Sequence, residues 1–193
     1  PGKKNAFEAP DFDVFYDCPL LMGPLQSLPS FRVKGIEHRF IGYRLSAFDE
    51  TAFMNNLQKV VEAAVNLIGD IPYHQYTFIG IGPGRGGIEH LNSTTVSFDG
   101  RGLETQEGMI RSMTFLAHEY FHHYNVKRIR PFELGPFDYD RTNRTNLLWV
   151  SEGLSVYYEY LLVKRAGLIG EKELLDLFSH SLSAYEQSAG REV

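Results

Sequence analysis

The chain has almost no cysteine. One thiol, Cys18, stands among 193 residues, which excludes an internal disulfide framework and a cysteine-rich structural zinc site. No apolar run reaches about 18 residues, the length a membrane-crossing helix needs. Positive charge is not in excess: 19 Lys and Arg against 24 Asp and Glu leave a net −5, so there is no broad basic surface for nucleic acid. The one basic cluster, Lys127-Arg128-Ile129-Arg130, is too short to change that and reads as a solvated helix end. Repeats, low-complexity tracts and a recognisable signal peptide are all missing. The chain starts at Pro1 rather than Met, and its compartment, cytoplasmic or periplasmic, is not readable. What is present is an ordinary globular composition, 43% hydrophobic and 22% charged, enough for one domain or two small lobes.

Hydrophobic spacing organises the chain. Residues 1–45 are rich in Pro, Gly and aromatics, and Phe12–Tyr16 and Arg39–Leu45 are expected as short strands. From Asp49, the residues Phe53, Leu57, Val60, Val61, Ala64, Val65 and Ile68 recur at helical spacing until Gly69 and Pro72. Tyr76–Ile81 and Thr94–Phe98 read as strands. Helices are expected over Thr105–Val126, Leu147–Ala166 and Glu171–Gln187. This is an α+β pattern, with a β-rich lobe at residues 1–104 followed by a helical lobe at 105–193. Gly82-Pro83-Gly84-Arg85-Gly86-Gly87 fits the dinucleotide-binding fingerprint G-x-G-x-x-G, but that fingerprint must open a helix. The residues that follow, Ile88 to Val96, read as loop and strand, so a glycine-rich loop at a hairpin is the better reading.

The strongest chemical signal is His118-Glu119-Tyr120-Phe121-His122. Two His four residues apart on a helix share one face, so both imidazoles can reach one metal ion. The intervening Glu then lies beside the metal's open position, where an attacking water needs a base. Apolar flanks (Met113, Phe115, Leu116, Ala117) put this helix at least half in the core, where paired His side chains require a partner. With cysteine lacking, the remaining ligands must be His or carboxylate, a combination typical of catalytic zinc. Glu152, on the next expected helix, is a candidate third ligand. Leu147, Leu148, Trp149, Val150 and Leu154 surround it in sequence, an apolar setting in which an unpaired carboxylate is costly. Glu159 follows seven residues later on the same helical face, a plausible acceptor for a ligand imidazole N–H.

Three segments carry a family resemblance. H-E-Y-F-H-H-Y-N-V-K-R-I-R-P (118–131), L-L-W-V-S-E-G-L-S-V-Y-Y-E (147–159) and G-G-I-E-H-L-N-S-T (86–94) resemble the glycyl aminopeptidase family, M61, a gluzincin family related to aminopeptidase N. The resemblance implies a thermolysin-like gluzincin fold and one Zn2+ per chain held by His118, His122 and Glu152. It implies Glu119 as general base and then proton donor to the leaving amine. It also sets Gly86-Gly87-Ile88-Glu89-His90 in the place of the G-A-M-E-N stretch of aminopeptidase N. Glu89 would then face the substrate's free α-amino group, and the backbone of Gly86 and Gly87 would pair with the peptide. The implied activity is release of small N-terminal residues, Gly or Ala, from peptides. An endopeptidase of the same chemistry, and a peptide-binding module that keeps zinc without turnover, use the same residues. The family also has an oxyanion-stabilising Tyr further downstream, an N-terminal β domain and a PDZ-like domain. None is matched in this chain, which is therefore expected to be the zinc-binding part of a longer protein.

Overall fold

The computed structural model describes residues 6–192. Six strands form one mixed sheet: β1 (Gln26–Ser27), β2 (Phe31–Val33), β3 (Ile36–Tyr43), β4 (Gln75–Ile81), β5 (Gly87–Glu89) and β6 (Ser93–Ser97). Their order is β1-β3-β4-β6-β5, with β2 also on β3. β3, β4 and β6 run parallel. β1 and β2 lie antiparallel to β3, and β5 lies antiparallel to β6. β5 is thus an edge strand.

Parallel strands need a long crossover, and α2 (Glu50–Ile68) supplies the one from β3 to β4. Asp49 caps it by accepting from the Ala52 N–H at 2.9 Å, and Gly69 ends it at φ +87°, the left-handed stop that glycine adopts without strain. Of its expected apolar stripe, Phe53, Leu57, Val60, Val61, Ala64 and Val65 are fully covered, whereas Ile68 at the last turn is 41% exposed. The stripe meets the sheet through aromatic edges, with Phe53 5.3 Å from Phe40 and 5.0 Å from Phe98.

One expected strand is a helix. Phe12–Tyr16 forms α1, because Asp11 accepts from the Val14 N–H at 2.9 Å and Asp13 adds an acid to the first turn. This capping signal outweighs the β-preference of the aromatic residues, which is itself a packing preference. The rings instead gather outside the core around Tyr139, 5.0 Å from Phe12 and 5.6 Å from Tyr16. The other N-terminal strand is where it was expected, shifted to Ile36–Tyr43 and ending at Arg44, whose φ is +60°.

The second half is helical. α3 (Gln106–Phe121) packs on α2, on α4 (Leu154–Arg165) and on the β5–β6 edge, and α5 (Glu171–Glu186) packs on α4. One buried core runs through both halves, from Leu28 to Ile169. Thr105 caps α3 through the Gly108 N–H at 3.0 Å, and a Cβ at Gly108 would lie 2.0 Å from the Gly102 carbonyl. α3 stops five residues before the expected Val126. His123 uses its ring Nδ1 on the Tyr120 carbonyl, Asn125 spends its amide elsewhere, and the chain continues in turns. The helix expected from Leu147 opens instead as a π-helical turn, Trp149–Gly153, before α4 begins.

Candidate metal centre

α3 has two chemically different faces. Met113, Leu116, Ala117, Tyr120 and Phe121 point into the core. His118, Glu119 and His122 lie together on the other side, one turn apart. The two imidazoles meet nearly edge to face, with ring centroids 4.4 Å apart.

Glu152 joins them from the π-helical turn. Its Oε2 lies 3.3 Å from His118 Nε2 and 3.6 Å from His122 Nε2, and the three donor atoms fall within 4.8 Å of one another. Ligands at about 2.1 Å around a tetrahedral zinc stand about 3.4 Å apart, so these spacings fit a shared metal better than they fit direct hydrogen bonds. The apolar sequence setting expected to bury Glu152 does not do so: its side chain is 58% exposed. Trp149, Leu148 and Leu154 are exposed as well. Geometry rather than burial marks this carboxylate.

The other ring nitrogens are held. His118 Nδ1 donates to Glu159 Oε2 at 2.6 Å, so Glu152 and Glu159 flank opposite nitrogens of one ring. His122 Nδ1 lies 3.3 Å from the Asn125 carbonyl and 3.2 Å from Ser155 Oγ. Such contacts fix the tautomer and aim Nε2 at the metal position. Burial draws the His118 pKa down, but the hydrogen bond and charge of Glu159 outweigh it and the net shift is upward. His122 moves down, through burial and the nearby His118.

Asn125 was given no role by its sequence. Its Nδ2 donates to the carbonyls of Val150 (2.9 Å) and Ser151 (3.0 Å) and to Ser155 Oγ (3.2 Å). It therefore ties the end of α3 to the wide turn that carries Glu152. Isolated π turns recur at functional sites; here the turn brings Glu152 to the two imidazoles. No local pattern reveals the tie between the two segments, because the contacts of Asn125 and Ser155 that make it span 25 to 33 residues in sequence.

Glu119 is buried, with 6% exposure. Burial pushes its carboxyl up to about 7, opposed by the charge of His118 and reinforced by Glu89, Glu152 and Glu159. β5 runs directly over it: a Cβ at Gly87 would come within 2.5 Å of the Glu119 carboxylate. Gly86, at φ +83°, brings the chain to this point. The Gly82–Gly87 segment opens a strand and not a helix, so it lacks the anion site of a dinucleotide loop.

Alternation along β5 puts Glu89 on the face of Gly87, the face of Glu119. The charge of Glu89 is felt at both Glu119 and His122. The Gly86 carbonyl accepts from the Ser97 N–H (2.9 Å) and the His90 N–H donates to the Ser93 carbonyl (2.9 Å). The peptide groups of Gly87 and Glu89 consequently point outward from the sheet edge.

Of the residues read as a solvated helix end, Arg128, Ile129 and Arg130 are indeed exposed, but Lys127 and Arg128 also form a clamp. Lys127 donates to Asp17 Oδ1 at 2.6 Å, and Asp17 also accepts from the Leu91 N–H at 2.9 Å. Arg128 reaches the carbonyls of Pro72 (2.9 Å) and Leu91 (3.2 Å). Both cations fasten the β5–β6 turn to the end of α3, which fixes Glu89 relative to the imidazoles.

A cleft of about 520 Å³ is lined by Ile88 and Glu89 of β5, and two more open beside α3. One, about 1270 Å³, runs from His118 and Glu119 between α3, α4 and α5. A smaller one, about 480 Å³, lies under Pro83–Gly86 and shares Arg111 and Phe115 with the first.

Known proteins fit this geometry. Residues 111–193 match the family model of the M61 glycyl aminopeptidase. Among solved structures, an aminopeptidase N family protein from Idiomarina loihiensis aligns with a TM-score of 0.71 and 28% identity, over 79% of this chain and 27% of that one. An M1 zinc metallopeptidase from Deinococcus radiodurans, a point mutant bound to a Tyr-ser-ala substrate, aligns with a TM-score of 0.50 and 18% identity. It covers 82% of this chain and 33% of that one, and the likeness is one of fold. The chain thus spans about a quarter to a third of the length of these relatives. No curated protein matches it. No helix among the described residues is long and apolar enough to cross a membrane.

Proposed function

Because residues 111–193 match the family model of the M61 glycyl aminopeptidase, we propose that the protein is a zinc aminopeptidase that removes small N-terminal residues, Gly or Ala, from peptides. The observation that carries this reading is the position of Glu89. It stands on the free edge strand, on the face of Glu119, with Gly87 between them over the base.

His118, His122 and Glu152 would hold one zinc ion, oriented by Glu159, Asn125 and Ser155. Bound there, zinc supplies Lewis acidity, which makes water a nucleophile near neutral pH and polarises a carbonyl. Glu119 takes the proton of the attacking water and returns it to the leaving amine. A carboxyl raised to about 7 is suited to both tasks. The peptide extends along β5, where the outward N–H and C=O groups of Gly87 and Glu89 add it as a further strand. The Glu89 carboxylate receives the α-ammonium group, and this contact limits cleavage to the first residue. The preference for Gly or Ala rests on the family resemblance.

The test compares a free and an N-acetylated alanyl peptide on zinc-loaded protein. The free amine is expected to be preferred at least tenfold, and Glu89→Gln to remove that preference by raising KM. Equal cleavage of both peptides by the unaltered protein would indicate an endopeptidase. Zinc and peptide binding without any turnover would indicate a silent binding module.

A further inference from the structure

Charges of opposite sign flank Gly87 along the strand path of β5. Glu89 stands at one end. Four residues earlier on the same strand path stands Arg85, and Arg111 projects from α3 beside it; both line the smaller cleft. Arg101, on the same cleft, is held by Asp99 at 2.6 Å. Among the described residues, neither Arg85 nor Arg111 has a hydrogen bond or ion pair. Arg111 Nη2 lies against the Gly102 turn, 3.6 Å from where a Cβ would stand. Arg111 lines both clefts. Glu107, Glu173 and Asp176 also line the larger cleft. They come from the first turn of α3 and from α5; in the smaller cleft Asp99 is the only carboxylate among the described residues, and it is already paired.

Register supplies a length. Arg111 precedes His118 by seven residues, two turns, so it shares the face of His118 about 10 Å along the helix. An extended peptide covers that in about three residues. A chain laid antiparallel to β5, with its ammonium at Glu89 and its first peptide bond at Glu119, brings its fourth residue to Arg111. In the opposite direction it would set its ammonium against the arginines.

We propose that Arg111, assisted by Arg85, binds a carboxylate on the fourth residue, so that the protein prefers free tetrapeptides, ammonium at one end and carboxylate at the other, over longer or C-terminally blocked chains. The inference rests on the aminopeptidase reading for its direction along the groove. An exposed guanidinium–carboxylate pair of good geometry discriminates modestly.

The experiment uses tetra-alanine as free acid, as C-terminal amide, and as the amide of Ala-Ala-Ala-Glu. The free acid is expected to show about tenfold higher kcat/KM than its amide, through KM. Arg111→Gln should bring the ratio near one, and Arg111→Lys should keep part of it. Equal rates for acid and amide in the unaltered protein, or a ratio that survives Arg111→Gln, overturn the proposal. If the Glu-containing amide instead matches the free acid, the site reads an acidic side chain and the chain-end assignment fails. Calorimetry of the same peptides on zinc-loaded Glu119→Gln protein keeps the two readings apart. Acid-over-amide binding that depends on Arg111, without turnover by the unaltered protein, would support the carboxylate site while refuting the aminopeptidase.

Discussion

His122 and His123 are neighbours in sequence with opposite fates. His122 lies on the cleft face of α3, with Nδ1 held and Nε2 facing the donor atom of Glu152. His123 points into the core among Tyr73, Tyr76, Tyr120 and Tyr124. Its Nδ1 is bound to the Tyr120 carbonyl, and its Nε2, like the Tyr76 hydroxyl, has no hydrogen-bond partner. Burial drives the His123 pKa down to about 3. His38, its counterpart across the cluster, contacts the Tyr73 hydroxyl at 2.8 Å and is pulled down to about 4 by burial. The C-cap of α3 and the turn after it therefore send two consecutive histidines to opposite faces. What distinguishes them is where the free ring nitrogen faces: carboxylates around an open position on one side, aromatic rings on the other.

The sharpest way to separate the faces is at the base. Glu119→Gln should lower kcat by about 10²–10⁴-fold, the range of general acid–base catalysis, with zinc content unchanged by elemental analysis. Retained activity would remove the proposed mechanism. Next comes the neighbouring histidine pair. His122→Ala should abolish stoichiometric zinc in a protein that still folds, whereas His123→Ala should keep zinc and lose about 3 kcal/mol of unfolding stability, as deletion of a buried ring does. If His123→Ala loses zinc while its urea midpoint holds, the two faces are not independent. Gly87→Ala drives a methyl group into the Glu119 carboxylate and should lower kcat about 10–100-fold by displacing the base. Glu159→Gln should weaken zinc affinity about 10–100-fold, the usual effect of losing a ligand's orienting carboxylate; competition with a chelator measures this.

The core face makes a smaller, pH-dependent prediction. His38 is neutral in the fold with a pKa of about 4, below about 6.5 when unfolded. The unfolded chain thus binds the extra proton, and the stabilising contribution is full above pH 6.5 and lost as pH falls towards 4. Between pH 7 and pH 5, His38 accounts for about 2 kcal/mol, and His123 acts in the same direction. The urea midpoint should drop over this interval, and His38→Gln should flatten the drop. An unchanged slope in the variant would assign the acid sensitivity to other groups.

Local signals were read best where one segment contained the whole instruction. The α2 stripe with its Asp49 cap and Gly69 stop is complete within its own residues, and so is the His118–His122 spacing on α3. Glu152 was identified by motif, but the reason first offered, an apolar surrounding, was wrong. Leu148, Trp149 and Leu154 face solvent, while Ser151 beside it is buried. Phe12–Tyr16 was misread because aromatic content was weighed above the Asp11 cap. Lys127 and Arg128 looked solvated because Asp17, Pro72 and Leu91, which they hold, are distant in sequence.

By itself, then, the sequence determined the α+β order of elements, the helix that carries the two histidines and the base, and the carboxylate able to join them. The first two follow from periodicity, capping and side-chain chemistry, which act over a few residues; the third rests on the family resemblance. Tertiary structure alone decided the rest. Asn125 locks the Glu152 turn, β5 lies over Glu119 closely enough that a Cβ at position 87 would displace its carboxylate, and Arg111 comes to line the same cleft as Glu119. Each depends on contacts between segments far apart in the chain, and such contacts exist only once the sheet and helices have packed.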